Sequence, residues 1–173
     1  QACVVIAEES QCSSRADAAN FGAQVVISEF LAANASGLRD FDGDYSDWLE
    51  VFNHGPASVD LSGWYFTDLQ TNLTKWQVPV STELGPNERL VVFASGKDFV
   101  AANGELHTNF KLNDSGEYLA LADPAGTIAH SFIPSFPPQE TDLSYGIDEN
   151  PQLPPLLDHL LTFMERPTPG AKN

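Results

Sequence analysis

The sequence predicts an all-β chain, a sandwich or barrel of short antiparallel strands. Short apolar runs rich in Val, Ile, Phe, Trp and Tyr recur between Ala23 and Ile133. Clusters of Gly, Pro, Asn and Asp divide them at intervals of about 8–12 residues, the rhythm of a sandwich or barrel. Such intervals leave no room for helical crossovers, so successive strands must pair antiparallel.

The chain opens with an apolar Val4-Val5-Ile6 and continues to Phe21 through a polar, Ala-rich stretch compatible with a short helix. Residues 1–22 are read as an N-terminal extension and a candidate donor or edge strand, and residues 23–173 as one β-sandwich domain. Strands are expected at Ala23–Ala32, Asp47–Asn53, Ser58–Thr67, Lys75–Val80, Arg89–Ala94, Leu106–Leu112, Glu117–Asp123 and Thr127–Ile133. Turn-forming clusters punctuate them, among them Asn53-His54-Gly55-Pro56, Leu84-Gly85-Pro86-Asn87 and Asp123-Pro124-Ala125-Gly126, where Gly, Pro and Asn each supply turn geometry. In Pro151–Met164 the residues Leu153, Leu156, Leu157, Leu160 and Leu161 recur at spacings of three and four. That spacing predicts one apolar helical face, with Pro154 and Pro155 tolerated in the first turn. Residues 148–164 thus read as a short, Leu-rich insertion, and Arg166–Asn173 as an extended tail.

Acidic side chains number 24 against 8 basic ones, a formal charge of −16. Nucleic acid is excluded as a partner, because it needs a basic footprint. No apolar run approaches the ~20 residues of a membrane span, so no membrane insertion is expected. The balance favours solubility, cation binding or a salty medium. Cys3 and Cys12 either form a short-range disulfide in an exported chain or stand as free thiols. A first residue of Gln rather than Met predicts a processed or trimmed chain, compatible with a signal peptide already removed. Asn-x-Ser/Thr patterns at Asn34, Asn72 and Asn113 are short enough to arise by chance.

The densest concentration of chemistry is Asp40-Phe-Asp42-Gly-Asp44-Tyr-Ser-Asp47, four carboxylates within eight residues. Calcium takes six to eight oxygen ligands, which closely spaced Asp side chains and backbone carbonyls can supply. Asp40, Asp42, Asp44 and Asp47 are therefore the candidate metal ligands. The stretch meets half of the EF-hand pattern: its alternate Asp residues are present, but Tyr45 stands at the glycine position. The other reading is a solvated acidic turn whose carboxylates bond nearby backbone N–H groups. Enzyme constellations are poor. His54, His107, His130 and His159 are scattered, and Phe93-Ala94-Ser95-Gly96-Lys97 lacks the flanking glycines of a nucleophile elbow. Paired carboxylates for glycoside chemistry carry no specificity in so acidic a chain. Trp48, Trp64 and Trp76 lie among strand residues and are read as core rather than as sugar platforms.

Several segments, taken in order, resemble the lamin-tail domain in its bacterial extracellular form. Ile27-Ser28-Glu29-Phe30-Leu31-Ala32-Ala33-Asn34 is similar to the family's opening strand. Asp42-Gly-Asp44-Tyr-Ser-Asp47-Trp48-Leu49-Glu50-Val51-Phe52-Asn53 resembles its Asp-Trp-Leu-Glu stretch. Val59-Asp60-Leu61-Ser62-Gly63-Trp64-Tyr65-Phe66-Thr67-Asp68 resembles its hallmark, and Pro167-Thr168-Pro169-Gly170-Ala171-Lys172-Asn173 its closing segment. The likeness covers Gln24 to Gly146 and the tail. It implies an immunoglobulin-like antiparallel β-sandwich and a module without catalytic residues.

Together these readings give the expected function: a non-catalytic, secreted or cell-surface structural and interaction module. Its expected partners are further copies of itself or other surface proteins, with an edge strand donated from copy to copy. That arrangement makes a fibre or surface-layer subunit stabilised by calcium. The alternative is an accessory module that tethers a larger secreted hydrolase to a polysaccharide or cell surface.

Overall fold

The computed structural model describes residues 24–148, 160–164 and 166–173. The expectations for residues 1–22, for Val4–Ile6, for Cys3 and Cys12, and for 149–159 lie outside the described residues. Within them run thirteen strands and no helix. They are β1 (Val25–Leu31), β2 (Asp47–Asn53), β3 (Val59–Asp60), β4 (Tyr65–Thr67), β5 (Trp76–Gln77), β6 (Glu83–Leu84), β7 (Arg89–Ala94), β8 (Phe99–Val100), β9 (Leu106–His107), β10 (Leu119–Ala122), β11 (Ile128–Phe132), β12 (Ser144–Asp148) and β13 (Leu160–Met164). A seven-stranded sheet in the order β13-β12-β1-β2-β7-β9-β8 packs against a four-stranded sheet in the order β11-β10-β4-β5. A small β3-β6 pair completes the β-sandwich.

All neighbours pair antiparallel except β7 and β9, which run parallel, because the intervening β8 hairpins with β9 and takes the sheet's edge. The expected strands at Asp47–Asn53 and Arg89–Ala94 are β2 and β7 to the residue. The expected Ser58–Thr67 strand is instead two, β3 and β4, broken where Gly63 takes a φ of +81°. That left-handed conformation suits glycine and ends a strand. The expected helix is corrected at its end. Leu160–Met164 pairs with Ser144–Asp148 as β13, and its ladder bonds to β12 decide the backbone where a helical leucine spacing does not.

Period-two alternation divides the large sheet into a core face and an outer face. Leu49, Val51, Val92 and Ala94 join Phe66, Leu119, Leu121 and Phe132 of the small sheet in one buried cluster. Phe30 stands at its centre, with its ring 5.1 Å from Phe132 and 4.6 Å from Phe136. On the outer face Leu31, Trp48 and Phe93 form a second cluster. A bulge in β1 between Ile27 and Glu29 lets both patterns hold. The extra residue returns Phe30 to the core and turns Glu29 outward. Close to the bulge β12 needs glycine: a Cβ on Gly146 would collide with the Ser28 carbonyl oxygen.

Glu29 and Glu50 are fully buried on that outer face, roofed by the C-terminal tail. Glu29 accepts the Thr168 N–H at 3.0 Å and the Ser144 hydroxyl. Glu50 accepts the Gly170 N–H at 2.7 Å and the Ser28 hydroxyl at 2.6 Å. Arg89 brings its Nε within 3.2 Å of Glu50 and lays its guanidinium 3.9 Å over the Phe52 ring. The Asn173 amide donates to the Ile147 carbonyl at 3.1 Å, fixing the end of the tail.

Burial raises the Glu29 pKa and pushes that of Glu50 up to about 7, against hydrogen bonds and the Arg89 charge, which favour the carboxylate. A carboxyl held above its ordinary 4.5 keeps a proton in the fold that the unfolded chain has lost. Its contribution is therefore complete below pH 4.5 and is lost as the pH rises to about 7. His130, which burial holds neutral down to about 4, works in the opposite direction below its ordinary 6.5. The difference between wild type and Glu50→Gln isolates the carboxyl. As the pH rises through this window, the wild type is expected to lose stability relative to the variant, by at most about 1.4 kcal/mol per pH unit. Urea denaturation at a series of pH values reads the difference, and a flat line contradicts the assignment.

Candidate functional site

The acidic stretch folds around its first carboxylate. Asp40 Oδ1 accepts the N–H groups of Asp42 and Asp44, each at 3.0 Å, and Oδ2 accepts the Ser46 hydroxyl at 2.7 Å. Backbone bonds from Gly43 N to Asp40 O and from Asp40 N to Asp44 O close the turn at 2.8 and 2.9 Å. Gly43 sits at φ +85°, where a Cβ would be strained. Two further bonds hold the loop: the Phe41 N–H donates to the distant Glu105 at 2.7 Å, and the neighbouring Arg39 donates to the Gly43 carbonyl at 2.7 Å.

The carboxylates of Asp40, Asp42 and Asp44 offer oxygens that all lie within 4.8 Å of one another. Lys97 reaches all three, with Nζ 2.7 Å from Asp40, 2.7 Å from Asp42 and 2.9 Å from Asp44. The Asp40 side chain is fully buried, whereas those of Asp42 and Asp44 are 47% and 67% exposed. Burial alone would push Asp40 up, but hydrogen bonds from Lys97, Ser46 and the Asp44 N–H hold its pKa down to about 2. Burial likewise works against the Lys97 charge, and the three carboxylates overcome it and raise the pKa well above that of a free lysine.

Asp47 is not part of this cluster. Its carboxylate accepts the Asn34 N–H at 3.3 Å, and burial pushes its pKa up to about 6. The structure thus brings together three of the four predicted ligands. Three carboxylates carry six oxygens, within reach of what calcium requires, but those of Asp40 already accept three other hydrogens. Lys97 already occupies the point between the three carboxylates that a cation would need.

The lysine is aimed by the turn that follows β7. Gly96 takes φ +73°, and its N–H donates to the Phe110 carbonyl at 3.0 Å. Ser95 Oγ accepts the Lys97 N–H at 3.2 Å and lies 3.0 Å from His107 Nδ1. The His107 ring stacks between Phe93 and Phe99, 5.3 and 4.4 Å away between centroids. Burial lowers its pKa, which favours the neutral imidazole. Ser95 and His107 are both buried, so the pair props the turn rather than facing a substrate. Lys97, Ser46, Glu105 and this prop were missed in the sequence. Lys97 lies 57 positions from Asp40, and its only sign was one cation in a Ser-Gly-Lys turn.

Trp48 and Trp76 are buried and Trp64 packs against the core, as expected for all three. Asn34 spends its amide on the Leu38 and Ser46 carbonyls at 2.7 and 2.8 Å, which fastens the loop before Asp40.

A model of the Lamin Tail Domain family matches residues 18–133. The chain belongs to that family, whose fold is immunoglobulin-like and whose members are in general non-catalytic. No curated protein matches the chain.

Replacing Lys97 leaves Asp40 buried without its counter-charge. Lys97→Met is expected to cost about 2 kcal/mol, less than the ~3–5 kcal/mol of a wholly stranded buried pair because three hydrogen bonds remain. Asp44→Asn, at an exposed rim position, is expected to cost under about 1 kcal/mol. Urea denaturation of the two variants checks the ranking.

Proposed function

We propose that this lamin tail domain is a structural and self-associating module that works outside the cell, with the Asp40–Asp44 loop as its cation-responsive element. The observation that carries the reading is the Lys97 centre. It spends charge on tying together two loops 57 positions apart, a mechanical use rather than a chemical one. The acidic balance of −16 suits an exported, cation-rich setting. Among the described residues the terminal strands are β13 and β8 in one sheet and β11 and β5 in the other, and a terminal strand suits pairing with a neighbouring chain.

Calcium acts in this reading by competing with Lys97 for the three carboxylates. A ligand that binds only the folded state stabilises it by mass action. Millimolar calcium is expected to raise the melting temperature of Lys97→Met by several degrees and that of the wild type by less. If neither moves between chelator and calcium, the loop is a plain acidic turn. Light scattering and electron microscopy across concentration test self-association, and compact monomers under every condition would sink it.

A further inference from the structure

Residues 167–173 fill a binding strip on the outer face of the large sheet. Thr168 and Gly170, two residues apart, each give a backbone N–H to a buried carboxylate, at 3.0 Å to Glu29 and 2.7 Å to Glu50. The Thr168 hydroxyl lies 3.0 Å from the second oxygen of Glu29. Asn173 adds its amide to the Ile147 carbonyl at 3.1 Å. Alternate backbone contacts fixed by a few anchors are how an extended segment docks on a protein surface.

We propose that this strip is an interaction site for a second copy of the chain, which enters it with its own residues 167–173 while the first copy's tail is displaced. The inference rests on the self-association reading above and names the surface that would carry it. The contacts go to backbone N–H groups and to side chains of the segment itself, so the strip accepts an identical segment from another chain on equal terms. Exchange of an identical element between copies creates no new type of contact and so joins chains at little cost. Glu165 and Arg166 alone separate the segment from β13. That short tether gives the chain's own tail an effective concentration on the order of millimolar, which a neighbour must match by being held alongside.

The test disables the resident tail and leaves the strip intact. Gly170→Pro removes the N–H that Glu50 accepts and forbids φ +80°, yet alters no residue of the sheet. A fluorescein-labelled synthetic peptide of residues 166–173 is titrated against the full-length variant by fluorescence polarisation. It is expected to bind Gly170→Pro at least tenfold more tightly than wild type, and to lose that binding when Glu50→Ala is added. Carboxypeptidase digestion should trim the variant's C-terminus faster than that of the wild type. No peptide binding to a variant that is trimmed and still melts cooperatively overturns the proposal. An untrimmed variant overturns it as well, since Glu50 would then not hold the tail. Should the variant not fold, millimolar unlabelled peptide added to the unaltered chain must shift the amide resonances of Ser28 and Gly170, and unmoved resonances count against the strip. Self-association without peptide binding defeats this inference and spares the proposed function. Peptide binding in a chain that stays monomeric at every concentration defeats both, since the strip then takes a free segment but no second copy.

Discussion

Two buried carboxylates set the terms for the rest of this fold. An ionised group costs several kcal/mol to bury unless charge and hydrogen bonds are brought to it, and Glu29 and Glu50 stand side by side in the sheet register. Each feature around them answers that cost. The β1 bulge turns Glu29 away from the Phe30 core. Gly146 lets β12 approach closely enough for Ser144 to donate. Arg89 contributes the charge and the tail contributes the N–H groups. The tail is thus held by polar contacts on the face where Leu31, Trp48 and Phe93 form an apolar cluster.

The Lys97 centre, in the turn that follows β7, solves the same problem by a different route. Asp40 is buried too, though less deeply than Glu50, and it accepts two backbone N–H groups, a hydroxyl and an ammonium. Fully satisfied, it stays ionised and its pKa falls, whereas that of Glu50 rises. Burial pushes both groups the same way, and the partners decide the sign of the outcome. Asp42 and Asp44 add charge at the rim, where solvent weakens its effect.

Local signals made much of this legible in the sequence. The apolar runs of β2 and β7 are long, aromatic or β-branched and bounded by turns, and they are strands to the residue. The two-residue strands β6 and β8 are too short to show a period, and the ladder partners alone define them. β13 was misread because leucines spaced by three and four satisfy a helical template as well as they fill a sheet edge beside β12. In the site, the Asp40–Asp44 spacing was visible since those residues are neighbours. Their cation was not, because it arrives from a turn more than fifty positions away. The tail was recognised as a family segment, but nothing local shows that residues 168 and 170 answer carboxylates on β1 and β2.

The distance along the chain between these partners also bears on how the protein comes to be folded. Thr168 meets Glu29 across 139 positions and Gly170 meets Glu50 across 120. During synthesis the β1–β2 hairpin leaves the ribosome many seconds before the residues that roof it, at translation rates of about 5–20 residues per second. Contacts of such long range are also the slowest to form. Whatever the route of folding, residues 167–173 are the last of these partners to be made, so the sheet cannot be roofed before the whole of the described chain exists.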